Sequence, residues 1–299
     1  MDSSRASSAA STILFDSDLP SPDITFDSAA AVFDRLYHPG FTDDALVVGH
    51  VSPDDFQALE AERDARGRKC RFFFLREAEM VIVTIPTGPH EQLHISFTIN
   101  LNRAMSRMGV ENEWEWMAAE MYSASSGSAG EGDASGGPAS VRTVIDWPTL
   151  VIESGYTQTI QSLRAKARWW FAASGHRIKV VLLVKMHLSQ SSVQVEKWTE
   201  PAPTGRPGAT TTRRSVQTGQ AAWQPVRRQV LEVLWTGATP IRAVPREDRA
   251  NPALYRVNGG PLTLGFAELF LRAPVGGEHD FVLTDLELQH IAARAWKRL

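Results

Sequence analysis

The chain of 299 residues has a single cysteine, Cys70. An intrachain disulfide is therefore excluded, and so is any zinc site that needs two cysteine ligands from one chain. A reducing, intracellular setting, cytoplasmic or nuclear, is the natural expectation. Long apolar runs are missing too: nothing approaches the roughly 20 residues of a membrane-spanning helix. The first residues show no basic region followed by an apolar one, so neither secretion nor membrane insertion is expected. Nucleotide and serine-hydrolase signatures are absent, with no G-x-x-x-x-G-K-[ST], no G-x-G-x-x-G behind a strand and no G-x-S-x-G. No basic cluster is dense enough to read as a nuclear signal, and no internal repeat is present.

Charge is distributed unevenly. The sum is −3, but residues 1–60 carry eleven acids against Arg5 and Arg35, so the rest of the chain totals +6. That balance leaves nucleic acid open as a partner of the body of the protein and sets no oligomeric state. Between Pro201 and Leu231 there is no acid, while Arg206, Arg213, Arg214, Arg227 and Arg228 fall in or beside this stretch.

With 43% hydrophobic residues the chain can bury a large core. Residues 1–27, rich in Ser, Ala and Asp, are set aside as a lead expected to stay mobile or pack loosely. Residues 28–299 are read as one decorated domain with flexible inserts near 123–140 and 201–226. Helices are expected over Ala29–Tyr37, Pro53–Arg66 with Ser52 as cap, His90–Met108, Gln158–Ser174 and Thr284–Lys297. Strands are expected over Lys69–Arg76, Met80–Ile85, Lys179–Lys185, Ser192–Trp198 and Arg228–Trp235. Glu113–Tyr122 reads as a further strand, Ser123–Gly137 as a loop or hairpin tip, and Leu262–Leu271 as strand or helix. The order of helices and strands implies an α/β layer architecture.

The most telling segment is Trp147-Pro148-Thr149-Leu150-Val151-Ile152-Glu153-Ser154, an apolar strand run that ends on one carboxylate, followed by Gly155 and a helix. A buried carboxylate is costly unless a metal or cation meets it. On the following helix, Lys166 shares a stripe with Leu163, Ala167 and Trp170, so it points inward. Phosphodiester hydrolysis needs clustered carboxylates for a hard cation and a cationic group beside them, which Asp133, Glu153 and Lys166 can supply. The bland alternatives are a Lys166 amine that snorkels outward, and a Glu153 paired with Arg164, Arg168 or Lys185.

A second motif is His90-Glu91-Gln92-Leu93-His94, an H-E-x-x-H pattern on an expected helix. Two histidines at i and i+4 share a face and can bind zinc, with Glu91 activating water and Glu111, Glu113 or Glu120 as third ligand. This would be a zinc metallopeptidase. The competing reading is an ordinary helix start, in which His90 and Glu91 cap the helix or face solvent while His94 packs inside.

Met80–Ile85, Pro86-Thr87-Gly88-Pro89-His90-Glu91, the Trp147–Ser154 run, Leu163–Trp170, Lys179–Lys185 and Val193–Trp198 together resemble the Uma-type restriction endonuclease family and its fungal relatives. This family belongs to the PD-(D/E)XK nuclease-like superfamily. The resemblance covers about residues 70–200 and, more faintly, Glu278–Trp296. It implies a restriction-endonuclease-like α/β fold, a central mixed sheet flanked by helices with a β-hairpin extension. It also implies Mg²⁺ or Mn²⁺ as cofactor and cleavage of DNA or another nucleic acid. Carried over, the first acid falls on Asp133, the second on Glu153 and the helix lysine on Lys166, with Glu79 or Glu91 as an extra acid. Asp133 and Glu153 would be the metal ligands. Gly132 stands where the family has proline and Gly155 where it has lysine, so a non-cleaving nucleic-acid-binding or scaffold protein on the same fold is the alternative.

Overall fold

A computed structural model describes residues 19–117, 120–141, 147–201 and 223–299. Residues 1–18 of the expected lead and 202–222 of the expected arginine-bearing insert lie outside the described residues. The strands are β1 (Ile24–Thr25), β2 (Ala45–Gly49), β3 (Arg71–Leu75), β4 (Met80–Thr84), β5 (Trp114–Met117), β6 (Met121–Ser123), β7 (Ala129–Glu131), β8 (Ala134–Pro138), β9 (Leu150–Gly155), β10 (Val180–His187), β11 (Ser192–Thr199), β12 (Val226–Trp235), β13 (Tyr255–Asn258), β14 (Leu262–Leu264) and β15 (Phe281–Leu283). The helices are α1 (Ala29–Leu36), α2 (Pro53–Arg66), α3 (Gly88–Met108), α4 (Ile160–Ala173), α5 (Arg246–Arg249), α6 (Phe266–Phe270) and α7 (Asp285–Lys297). Among the described residues no helix is long and apolar enough to cross a membrane.

The fold is mixed α/β with two large sheets flanked by helices. The larger sheet has seven strands in the order β13-β12-β11-β10-β9-β8-β5. Only β9 and β10 run parallel in it, because α4 carries the chain back between them. The second sheet runs β1-β2-β4-β3-β7-β6. Strand β10 reads Val-Val-Leu-Leu-Val-Lys-Met-His and is apolar on both faces because both are covered. Val180, Leu182, Val184 and Met186 face Leu93, Phe97, Leu101 and Met105 of α3 and Leu288, Ile291 and Trp296 of α7. Val181 and Leu183 face the other way, where α4 brings Leu163, Ala167, Trp170 and Phe171 against Phe73, Leu75 and Ile82 of the second sheet. The far face of that second sheet is closed by α1 and α2 through Phe33, Leu36, Phe56 and Leu59. Each fully buried Leu, Ile or Phe here contributes roughly 1.5–3 kcal/mol against leaving it exposed.

The helix signals hold closely. Ser52 and Asp55 form a capping box on α2, and Thr284 with Glu287 forms another on α7. The Ser/Gly run forms the expected hairpin tip over residues 124–128, between β6 and β7, while the rest builds the buried strands β7 and β8. Glycine serves there for close approach rather than flexibility. A Cβ on Gly130 would stand 2.6 Å from the Phe73 ring, and one on Gly136 the same distance from the Trp114 indole. Leu262–Leu271 divides into β14 and α6. Strand β2 was not foreseen.

Candidate active site

Alternation along β9 sets the geometry. Glu153 and Ser154 are consecutive, so they point to opposite faces, Glu153 toward α4 and Ser154 toward α3. Between β7 and β8 the chain leaves one sheet for the other through Gly132 and Asp133. This crossing holds Asp133 beside the end of β9. A Cβ on Gly132 would stand 3.3 Å from Val151 and 3.4 Å from Trp170, so the small residue lets the crossing run close to β9 and α4.

Glu153 is fully buried. Its Oε2 accepts from Lys166 Nζ at 3.1 Å and its Oε1 from Trp170 Nε1 at 2.7 Å. Lys166, also buried, has its Nζ 5.3 Å from the centre of the Phe73 ring. The amine does not snorkel to solvent, and none of the three alternative partners weighed for Glu153 takes that place. Arg164 binds Glu196, Arg168 lies over the Trp198 ring, and Lys185 donates to the Tyr156 carbonyl.

Gly155 shows why the cation comes from the helix. It faces the same side as Glu153, and a Cβ there would stand 3.1 Å from Leu163 and 3.3 Å from Gln158. A lysine at that position would be driven into α4. Lys166 reaches the carboxylate from the helix side instead.

Asp133 accepts four hydrogen bonds. Oδ2 takes the backbone N–H of Ser154 at 2.7 Å and its hydroxyl at 2.8 Å. Oδ1 takes Arg71 Nη1 and His90 Nε2, each at 3.1 Å. The other nitrogen of His90, Nδ1, lies 2.9 Å from Asp44 Oδ2. Both ring nitrogens thus face carboxylates, which only accept, so both must carry protons. Asp44 also takes the backbone N–H groups of Tyr156, Thr157 and Gln158 at 2.7–2.8 Å, clamping the turn between β9 and α4. Glu91 is half-buried at the rim, 2.9 Å from Arg71 and 3.5 Å from His94 Nε2.

The electrostatics follow from these contacts. Burial alone pushes the Asp133 carboxyl up, but His90, Arg71 and Lys166 outweigh it and hold the group well below the usual range. Burial, with the Asp133 charge beside it, raises Glu153 despite Lys166 and Trp170. Burial disfavours charge on His90 too, yet Asp133 and Asp44 lift it to about 9. Glu91 is drawn down to about 2 against its burial, by His94 and Arg71.

The structure thus gathers Asp133, Glu153, Lys166 and Glu91 into one charged network. Glu79 stands apart, exposed in the turn at the opposite end of the β3–β4 hairpin from Arg71. The zinc ligands expected at Glu111 and Glu113 follow the far end of α3, roughly 30 Å from His90 at 1.5 Å per residue. Glu113 pairs there with Arg272, and Glu120 accepts from Tyr122. Sequence reasoning missed Asp44, Arg71 and Ser154. Asp44 could have been noticed as the acid that opens the apolar run Ala45–Gly49. Nothing in sequence marks Arg71 or Ser154.

No family model matches the chain, and no curated protein does. Among solved structures, a candidate nuclease belonging to DUF820 from Anabaena variabilis ATCC 29413 is similar over 52% of this chain and 89% of its own, at 13% identity and a TM-score of 0.35. A likeness that faint transfers neither fold nor activity, and the functional reading stands on the geometry above.

Proposed function

We propose that the protein is a metal-dependent nuclease of the PD-(D/E)XK kind, with its centre at Asp133, Glu153 and Lys166. The supporting observation is the meeting of a buried Glu153 with a buried Lys166 from the next helix, in the field of a second buried carboxylate. Buried acids are stabilised by cations, and here Lys166 meets Glu153 while Arg71 and His90 meet Asp133. The donor set fits Mg²⁺ or Mn²⁺: both acids offer hard oxygens, and Glu153 accepts two hydrogen bonds among the described residues, leaving lone pairs for a ligand. Asp133 and Glu153 would hold the ion, which when bound supplies a Lewis acid that acidifies water and neutralises phosphate charge.

The chain's own residues have separate tasks. Lys166 steadies charge developing on the phosphate oxygens, and Trp170 fixes the Glu153 carboxylate from the side away from the amine. Arg71, once parted from Glu91, is placed to receive a phosphate at the rim. The proposed substrate of this centre is nucleic acid.

One observation favours a second reading, a non-cleaving binding or scaffold protein. Asp133 already accepts four hydrogen bonds, and a cation must displace Arg71 or His90 to reach it. The test is incubation of purified protein with supercoiled plasmid, single-stranded DNA and RNA in Mg²⁺ or Mn²⁺, beside Glu153→Gln. Metal-dependent cleavage lost in the variant supports the nuclease. Binding without cleavage supports the second reading.

A further inference from the structure

The H-E-x-x-H motif is not used by that proposal, and its side chains have a geometry of their own. We propose that His90, His94 and Asp133 form a binding site for a borderline divalent cation of the zinc class, with Asp44 and Ser154 as the outer ring that aims the imidazoles.

His90 and His94 lie at i and i+4 on the inward face of α3, and both are buried. Their ligand atoms and an Asp133 oxygen all lie within 4.8 Å of one another. Ligands on a tetrahedral zinc stand roughly 3.3 Å apart, so closure about an ion needs a shift of about an ångström or so. The outer contacts are those of a prepared site. His90 Nδ1 is anchored on Asp44, which four other donors hold in place, and this leaves Nε2 directed at Asp133. Ser154 has one hydroxyl proton and gives it to Asp133 at 2.8 Å, so its oxygen is an acceptor for His94 Nδ1 at 3.2 Å. That fixes His94 with its Nε2 on the side of Glu91. A histidine whose far nitrogen is held by a carboxylate or hydroxyl is the usual support of a metal ligand.

Two imidazoles and one carboxylate select zinc-class ions over Mg²⁺. Without metal, a proton bridges His90 Nε2 and Asp133. The ion takes its place, and the proton leaves to solvent. The site is one for binding rather than peptide hydrolysis, because the Glu91 carboxylate is engaged by Arg71 at 2.9 Å. It shares Asp133 with the proposed nuclease centre but uses neither Glu153 nor Lys166.

The experiment is calorimetric titration of untagged, chelator-stripped full-length protein with ZnCl₂, with metal content read by mass spectrometry. One Zn²⁺ per chain is expected in the wild type and in Glu153→Gln. Asp44→Asn should bind about 10–100-fold more weakly, and His94→Gln should lose the site while keeping its circular dichroism. Should His94→Gln not fold, the wild type with Co²⁺ decides, since three protein ligands give the intense visible bands of a tetrahedral ion. Absence of zinc binding by folded wild type, a wild-type affinity in folded His94→Gln, or a Co²⁺ spectrum like that of the aqueous ion overturns the proposal. A chain that binds zinc yet cleaves nothing in Mg²⁺ keeps this site and overturns the nuclease reading alone.

Discussion

Replacing Lys166 with methionine isolates the central pair. Methionine keeps the stem that packs beside Phe73 and removes only the amine that Glu153 binds at 3.1 Å. Glu153 is then fully buried with Trp170 as its remaining hydrogen-bond partner among the described residues and the Asp133 charge still acting on it. Breaking a buried ion pair on one side costs about 3–5 kcal/mol. The carboxyl has an escape, since it can take up a proton. Burial has already raised it in the wild type, so folded Glu153 holds its proton more tightly than the unfolded chain does. Stability from this group is therefore complete below the ordinary carboxylate value, about 4.3, and falls as pH rises through the raised value. Lys166→Met raises the carboxyl further and carries the fall to higher pH. Urea denaturation should show a loss of about 3–5 kcal/mol near pH 8 and clearly less near pH 5. Adding Glu153→Gln should restore most of the loss, because no bare charge remains. An equal loss at both pH values, or one below about 1 kcal/mol near pH 8, would refute the claim that a bare buried carboxylate is the cause.

Other outcomes follow from the same contacts. Asp44→Ala removes the acceptor for three backbone N–H groups and for His90, and should cost about 3 kcal/mol or more by denaturation. Gly155→Lys puts back a strand lysine but meets Leu163 and Gln158, so it should destabilise by about 1–3 kcal/mol and leave activity no higher than wild type. Gly136→Val drives a side chain into Trp114 and should lower the melting temperature by several degrees, while an exposed control such as Gly67→Asn should not. Glu91→Gln should flatten the acid limb of stability: folded Glu91 sits at about 2, so its contribution is complete above the ordinary carboxylate range and lost as pH falls toward 2.

The helices and the central strand–helix–strand unit were legible because their signals are local. Capping residues at Ser52 and Thr284, a fourfold apolar spacing along α3 and unbroken apolar runs at β9 and β10 need no tertiary partner to be read. The inward lysine was legible for the same reason, from its place on the α4 stripe. The Gly/Ser strands were not, because their glycines are explained only by the rings of Phe73 and Trp114, which arrive from distant positions. Asp44 and Arg71 escaped in the same way: Asp44 meets His90 46 residues along the chain, and Arg71 meets Asp133 62 residues along it. The third partner of the two histidines was sought just beyond α3, yet the helix carries those acids away along its own axis, and the crossing at Asp133 brings the near one.

The most direct test of the central claim is the rate of plasmid nicking in Mg²⁺ by wild type, Glu153→Gln and Lys166→Met, each first shown to be folded at the assay pH. The account predicts cleavage by the wild type that a chelator abolishes, and a fall of at least about 100-fold in both variants, the scale on which loss of one charge-stabilising group acts. A folded wild type that leaves every plasmid intact, or variants that cut as fast as it does, would contradict the account.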